Sequence, residues 1–192
     1  MTVSRKFIKE LARDQIRGNI GILFVLMLLM SLIISVSAVS VVGPLLLAPP
    51  LTVGLYRIYL GLADDKKPSV GDLFSGFNSF GQSILLMLKI GLFTFLWSLL
   101  LFVPGIIKAL SYSMSYYIMA ENPEIDSHEA LEESKRMTKG HKGEMFVLGM
   151  SFILWILLIL VTAGIAGIYV IPYINTTMAN YYKELRKATD SI

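Results

Sequence analysis

Three basic side chains interrupt otherwise apolar runs of this chain: Arg57, Lys89 and Lys108. Taking a charge out of water is costly, so each marks a candidate functional position. A guanidinium or ammonium placed there can grip an anionic lipid headgroup or a phosphate-bearing substrate. The plainer role is snorkelling. At about 1.5 Å per residue, Arg57 and Lys89 lie roughly 8–9 Å inside their runs, within reach of a membrane interface. Lys108 falls near the outer end of its run and can reach the outer headgroups.

A second group is polar but uncharged. Ser111, Ser113 and Ser115 punctuate one apolar run, and Asn175, Thr176, Thr177 and Asn180 punctuate another. In lipid such side chains turn inward, where an interhelical hydrogen bond contributes about 0.6 kcal/mol on average. Ser111, Ser115, Asn175, Thr176 and Asn180 therefore either glue helices together or line a cavity. Ser111 with Ser115, and Ala163 with Gly167, also have the spacing of small residues that lets helices approach closely.

The missing chemistry narrows the field further. No Asp or Glu lies inside an apolar run, so proton coupling through a carboxylate has no carrier. Cysteine is absent, which removes disulfides, thiol catalysis and zinc thiolates. His128 and His141 stand thirteen residues apart with no HExxH or related pattern. No GxSxG, P-loop, GxGxxG or paired catalytic carboxylate occurs, and no cofactor, metal or catalytic residue is expected. No basic block stands clear of the apolar runs, so nucleic acid is not an expected partner.

The elements that must carry these residues are membrane helices. The chain has 192 residues, 55% hydrophobic and 16% charged, with a net charge of +3 and a mean hydropathy of +0.66. That composition predicts a single all-α membrane domain over residues 1–192. Spans are expected over about 20–42, 45–63, 84–103, 106–120, 145–162 and 168–182. They pair as three hairpins with turns near 43–48, 103–106 and 163–167. Residues 1–19 form a basic amphipathic helix with an apolar stripe of Phe7, Ile8, Leu11 and Ile16, suited to the membrane surface. A signal peptide is the alternative for the first run, since Val36-Ser37-Ala38 resembles a cleavage site, but the run is longer than a usual h-region.

Polar segments 64–80 and 121–144 complete the side that carries both termini. Ser69 is placed to cap a short helix, with Leu73, Phe74, Phe77 and Phe80 on or near one face. Asp126 and Glu129 open another helix in the manner of a capping box; it is acidic early, basic late, and ends at Gly140. Lys and Arg concentrate on this side, so both termini are expected in the cytoplasm. A coarse repeat of about sixty residues places tyrosines in each returning span, at Tyr56 and Tyr59, then Tyr112, Tyr116 and Tyr117, then Tyr173, Tyr181 and Tyr182. Parallel repeats occur in transporters, while tyrosines near helix ends are ordinary interfacial anchors.

Several ordered motifs then resemble a known family. They are Trp97-Ser98-Leu99 through Val103-Pro104-Gly105-Ile106-Ile107-Lys108, followed by Tyr112 and Tyr116. Glu121-Asn122-Pro123, the face of Ala130, Ser134 and Met137, and Gly140-His141-Lys142 come next. Trp155, Gly164-Ile165 and Pro172-Tyr173 complete the series. Together they resemble the bacterial integral-membrane family called domain of unknown function 975, common in Firmicutes. The resemblance implies a six-span protein of a bacterial cell membrane and no particular activity. The family pattern has an acidic residue before the proline where this chain has Asn122. The chain is also distantly similar to the membrane domain attached to some glycerophosphodiester phosphodiesterases.

The expected function is that of a non-enzymatic membrane protein that docks a partner or organises lipid through segments 64–80 and 121–144. Ala130, Leu131, Ser134 and Met137 form the expected docking face, though a helix resting on lipid or on the bundle fits them too. Expected partners are the bilayer, anionic lipids, and a membrane or cytoplasmic protein. The rival is a small permease for lipids or anions, with helices broken at Pro50 and Pro172 around a polar cavity and Arg57 or Lys108 holding the anion.

Overall fold

The structure is a computed structural model describing residues 4–40, 42–100 and 102–190, with side chains described for these except 98–100, 102, 103 and 190. Val41 and Leu101, inside the first and third expected spans, and the side chains of Ser98, Leu99 and Val103 lie outside the described residues. Every regular element among the described residues is a helix. Four stretches are long and apolar enough to cross a membrane: Ile20–Ser37, Val42–Ala63, Val70–Trp97 and Lys142–Val161. The expected spans over 106–120 and 168–182 do not reach that measure among the described residues.

Helix α1 (Arg5–Ile16) starts at Ser4, whose hydroxyl accepts from the Phe7 amide. Its apolar residues Ile8, Ala12 and Ile16 repeat every fourth position and share one face. Of the stripe expected on the membrane surface, Ile8 and Ile16 are buried instead, with α1 packed largely against the final helix, α11 (Gly167–Asp190), while Leu11 is half-buried and Phe7 stays exposed.

Helices α2 (Ile20–Ser37) and α3 (Val42–Ala63) pack side by side. Pro49 and Pro50 lie inside α3 and are buried. Helix α4 (Val70–Phe74) begins with a reciprocal Ser69–Asp72 capping box and runs into a 3-10 turn over Ser75–Ser79. This segment crosses α3 at two glycines. A Cβ on Gly76 would sit 1.9 Å from the Pro50 carbonyl oxygen, and one on Gly54 would sit 1.9 Å from that of Leu73. Only hydrogen fits at either position. Phe74, Phe77 and Phe80 stack in series outside the crossing, with ring centroids 6.3 and 6.1 Å apart.

Helix α5 (Phe80–Leu100) packs along α6 (Phe102–Tyr112). The expected single helix over 106–120 is broken, because α7 (Ser115–Glu121) starts anew after Ser113-Met114. The cause lies in α8 (Ser127–Thr138), opened by Asp126, whose carboxylate accepts from the His128 amide at 2.7 Å. The buried Ser134 hydroxyl donates to the Ser111 carbonyl at 2.7 Å and accepts from the Met114 amide at 3.3 Å. One side chain thus occupies the gap in the helix, and two backbone groups that would otherwise be unpaired are satisfied.

The expected span over 145–162 is also two helices, α9 (Lys142–Met150) and α10 (Ile153–Val161). α11 carries Pro172 in its second turn, where the ring leaves the Ile168 carbonyl without its usual helical donor, and continues past Tyr182 to Asp190. The core between α3, α7 and α11 is aromatic. Tyr56 meets Tyr117 at 4.4 Å between centroids, and Tyr117 stacks on Tyr182 at 5.6 Å.

Candidate functional site

Arg57 is the best-developed polar centre of the molecule. It lies on α3 opposite two separate segments. Its Nε donates to the Ala120 carbonyl at 2.9 Å, and one terminal nitrogen donates to the Ser75 hydroxyl at 2.5 Å. Ala120 sits in the last turn of α7, where carbonyls lack an intrahelical partner, so the guanidinium also caps that helix. Its remaining nitrogen, Nη2, is buried and has no hydrogen-bond partner. A planar five-donor group with its Nη2 hydrogens unpaired has the geometry to donate to an oxyanion.

Beside it opens a cavity of about 450 Å³. Arg57, Lys66, Lys67 and Lys183 line it together with Asp64, Asp72 and Glu121. The charges are partly spent on one another: Lys183 pairs with Asp64. Glu121 accepts from the Tyr182 hydroxyl at 2.6 Å and lies 3.8 Å from Arg186. Arg186 in turn reaches Glu133 on α8 at 3.4 Å, and Glu133 is also held by Arg136 at 2.8 Å. This Tyr182–Glu121–Arg186–Glu133 chain ties α7, α8 and α11 together. Its only sequence signal was the set of basic residues after Tyr182, namely Lys183, Arg186 and Lys187.

The other two basic candidates do not join Arg57. Lys89 donates to the Ser127 hydroxyl at 2.8 Å, and the Ser127 amide donates to Gln82 at 3.0 Å. Lys89 therefore anchors the start of α8. Lys108 lies over the Trp97 ring at 4.7 Å, a cation–π contact within its own helix pair.

The polar cavity candidates do not converge either. Ser111 donates to Ile107 within its helix, and its carbonyl takes Ser134. Asn175 donates to Ile171 and accepts through its carbonyl from Tyr117 at 3.1 Å. Asn180 reaches across to Gln15 of α1 at 2.7 Å. Ser115 and Thr176 are buried, and their hydroxyl oxygens have no hydrogen-bond partner.

The expected docking face is taken by the protein itself. Ala130, Leu131, Ser134 and Met137 are all buried against the bundle. What α8 shows outward is charge: Glu129, Glu132, Arg136 and Lys139 are exposed. The Glu132 carboxyl is held below its usual range by a hydrogen bond from Lys135, with help from the charges of His128 and Lys108. Asp126 is held low chiefly by the His128 amide and also by Lys89.

A further set of contacts gave no sequence signal beyond the amphipathic stripe of α1. The Lys9 ammonium hydrogen-bonds Ser151 and lies 4.3 Å from the centre of the Phe152 ring, at the break between α9 and α10. Arg13 lies 5.7 Å from the centre of the Tyr173 ring.

No curated protein and no solved structure matches the chain. The family resemblance holds across the helices that build the α8 dock and half of the Arg57 site: residues 99–189 match the family described as Protein of unknown function (DUF975).

Proposed function

We propose that this chain is a bacterial plasma-membrane protein that organises anionic lipid around a polar, cytoplasmic base, with both termini on that side. The observation that carries the reading is the Arg57 centre, a buried guanidinium nitrogen without a partner beside a cavity flanked by Lys66 and Lys67. Phosphate oxygens of a lipid headgroup supply the acceptor that this nitrogen lacks. The five basic residues of α1 and its flank, Arg5, Lys6, Lys9, Arg13 and Arg17, add a second attraction for anionic lipid. The adaptor reading moves to a different surface, since the apolar face of α8 is buried and only its charged face is open to a partner. The permease reading has less support, because tyrosine rings fill the interior where a pathway would run.

The test is purification from the native membrane in a lipid-preserving polymer, followed by mass spectrometry of lipids and proteins. Enrichment of an anionic lipid that is lost in Arg57→Gln, with folding unchanged, supports the reading. A stoichiometric protein partner, with no lipid enrichment, overturns it in favour of an adaptor.

A further inference from the structure

Exposure changes sharply along the bundle. The last buried residue of α2 is Leu26, the first of α3 is Pro49, and α10 buries none. Beyond these points the helix pairs project as apolar prongs. At two of their ends large apolar side chains lie exposed, beside the small polar Ser40 at the first: Val39 is 96% exposed, Val161 84% and Ile165 72%. A turn that emerged into water on the far side of a membrane would be expected to carry polar or charged groups and interfacial aromatics.

Each prong is also held by a polar element a short way from its end. Gly76 of the segment after α4 touches α3 at Pro50. Ser134 of the charged helix α8 grips Ser111 and Met114. Basic α1 meets Ser151 and Tyr173 through Lys9 and Arg13. At about 1.5 Å per residue, the helix beyond these ties measures roughly 12 Å from Val42 to Pro50, 14 Å from Phe102 to Ser111, and 9 Å from Gly167 to Tyr173. A bilayer's hydrocarbon core is about 30 Å thick. α8 cannot follow the prongs into lipid, because Glu129, Glu132 and Arg136 face outward from it. Four stretches are long and apolar enough to cross, but α3 is tied at Pro50, α2 shares its turn with α3, and the α9–α10 stretch is met by Lys9 at Ser151.

The turns themselves are built for a dry setting. Around 38–43, the amides of Ala38, Ser40 and Gly43 bond to carbonyls of the same turn. Around 162–167, Ala163, Gly164, Ile165 and Gly167 do likewise, and the Ala166 amide donates to the Thr162 hydroxyl at 3.0 Å. Irregular backbone survives in hydrocarbon only when its polar groups are satisfied in this way.

We infer that two of the helix pairs, α2–α3 and the α9–α10 stretch with α11, enter only the leaflet nearest the polar base, with their turns ending near the bilayer midplane among the acyl chains. This rests on the membrane reading above and replaces four of the six complete crossings with two half-depth insertions. The cysteine-free chain permits a direct test. Single variants Ser40→Cys and Ile165→Cys mark two turns; Lys67→Cys and Glu132→Cys mark the base. Each is exposed to a membrane-impermeant maleimide in intact cells, in inverted vesicles, and after detergent. The base positions label in inverted vesicles, while the turns label in neither preparation and become reactive only in detergent. Labelling of the turns in intact cells, with the base labelled from the other side, overturns the inference and restores full crossings. Release of the chain by alkaline carbonate instead sinks the membrane reading itself. As a second measurement, a bimane on Ser40→Cys in lipid vesicles is quenched most by a nitroxide at the end of an acyl chain; strongest quenching by a headgroup nitroxide overturns the half-depth placement.

Discussion

Arg57 and Lys89 look alike in the sequence, each a single basic residue a short way inside an apolar run, yet the structure gives them different work. Lys89 is engaged at the start of α8, where it supports a helix that the bundle needs. Arg57 binds two chain segments and keeps one buried nitrogen unmatched beside an open cavity. An intramembrane charge thus says only that something must compensate it. Whether the compensation comes from the protein or from a ligand depends on which segments pack opposite.

The two centres are held by different devices, and each device can be broken separately. The largest effect is expected at the α3 crossing. Gly76→Leu places side-chain carbons where the Pro50 carbonyl already stands. Overpacking of this kind costs about 1–3 kcal/mol, and more when the obstacle is backbone. The variant should lose thermal stability in detergent, and Ser75 should part from Arg57; an unchanged melting temperature would refute the close crossing.

A smaller effect follows at the other centre. Ser134→Ala leaves the Ser111 carbonyl and the Met114 amide without their bridge, at a cost of about 1–3 kcal/mol for buried groups left unpaired. Hydrogen exchange should speed up at Met114 and across α8 while the segment over 70–79 keeps its protection. Equal loosening of both regions would mean that the two centres are not independent.

The smallest effect is from pH. Asp126 and Glu132 both have carboxyl pKa values depressed in the folded chain, first by the His128 amide and by the Lys135 hydrogen bond respectively. A depressed carboxyl contributes stability that is complete above its ordinary range and is lost as pH falls through the lowered value. Protection of α8 against exchange, relative to the intrinsic rate at each pH, should therefore fall under acid conditions, with the α3 crossing unaffected. Protection of α8 that does not vary with pH would remove Asp126 as an effective cap.

Much of the helical inventory was legible because it depends on local physics. Ser69, Asp126 and Gly140 announced two short helices by capping chemistry, which acts over three or four residues. The apolar runs announced, by composition, helices long and apolar enough to cross a membrane. The break at Ser113-Met114 was not legible, since nothing in Ser111-Tyr112-Ser113-Met114-Ser115 tells a serine-rich helix from one interrupted by a hydroxyl twenty residues away. The docking face on α8 was correctly seen as an apolar stripe, but a stripe does not say whether lipid, a partner or the chain itself will cover it. Arg57 was marked as a site by its charge, while Ser75 and Ala120, which shape it, carry no signal of their own.

The sequence by itself determined that the chain is helical, that apolar runs alternate with charged segments, and where the short helices begin. Those properties follow from hydrogen bonds within a turn and from the cost of hydrating apolar side chains. Only the tertiary structure decided that α8 is a wedge in a broken helix, that Lys89 is spent on it, and that Arg57 keeps a donor in reserve. Such outcomes turn on contacts between residues distant in the chain, where one hydroxyl or one missing Cβ selects among packings that the local pattern leaves equal.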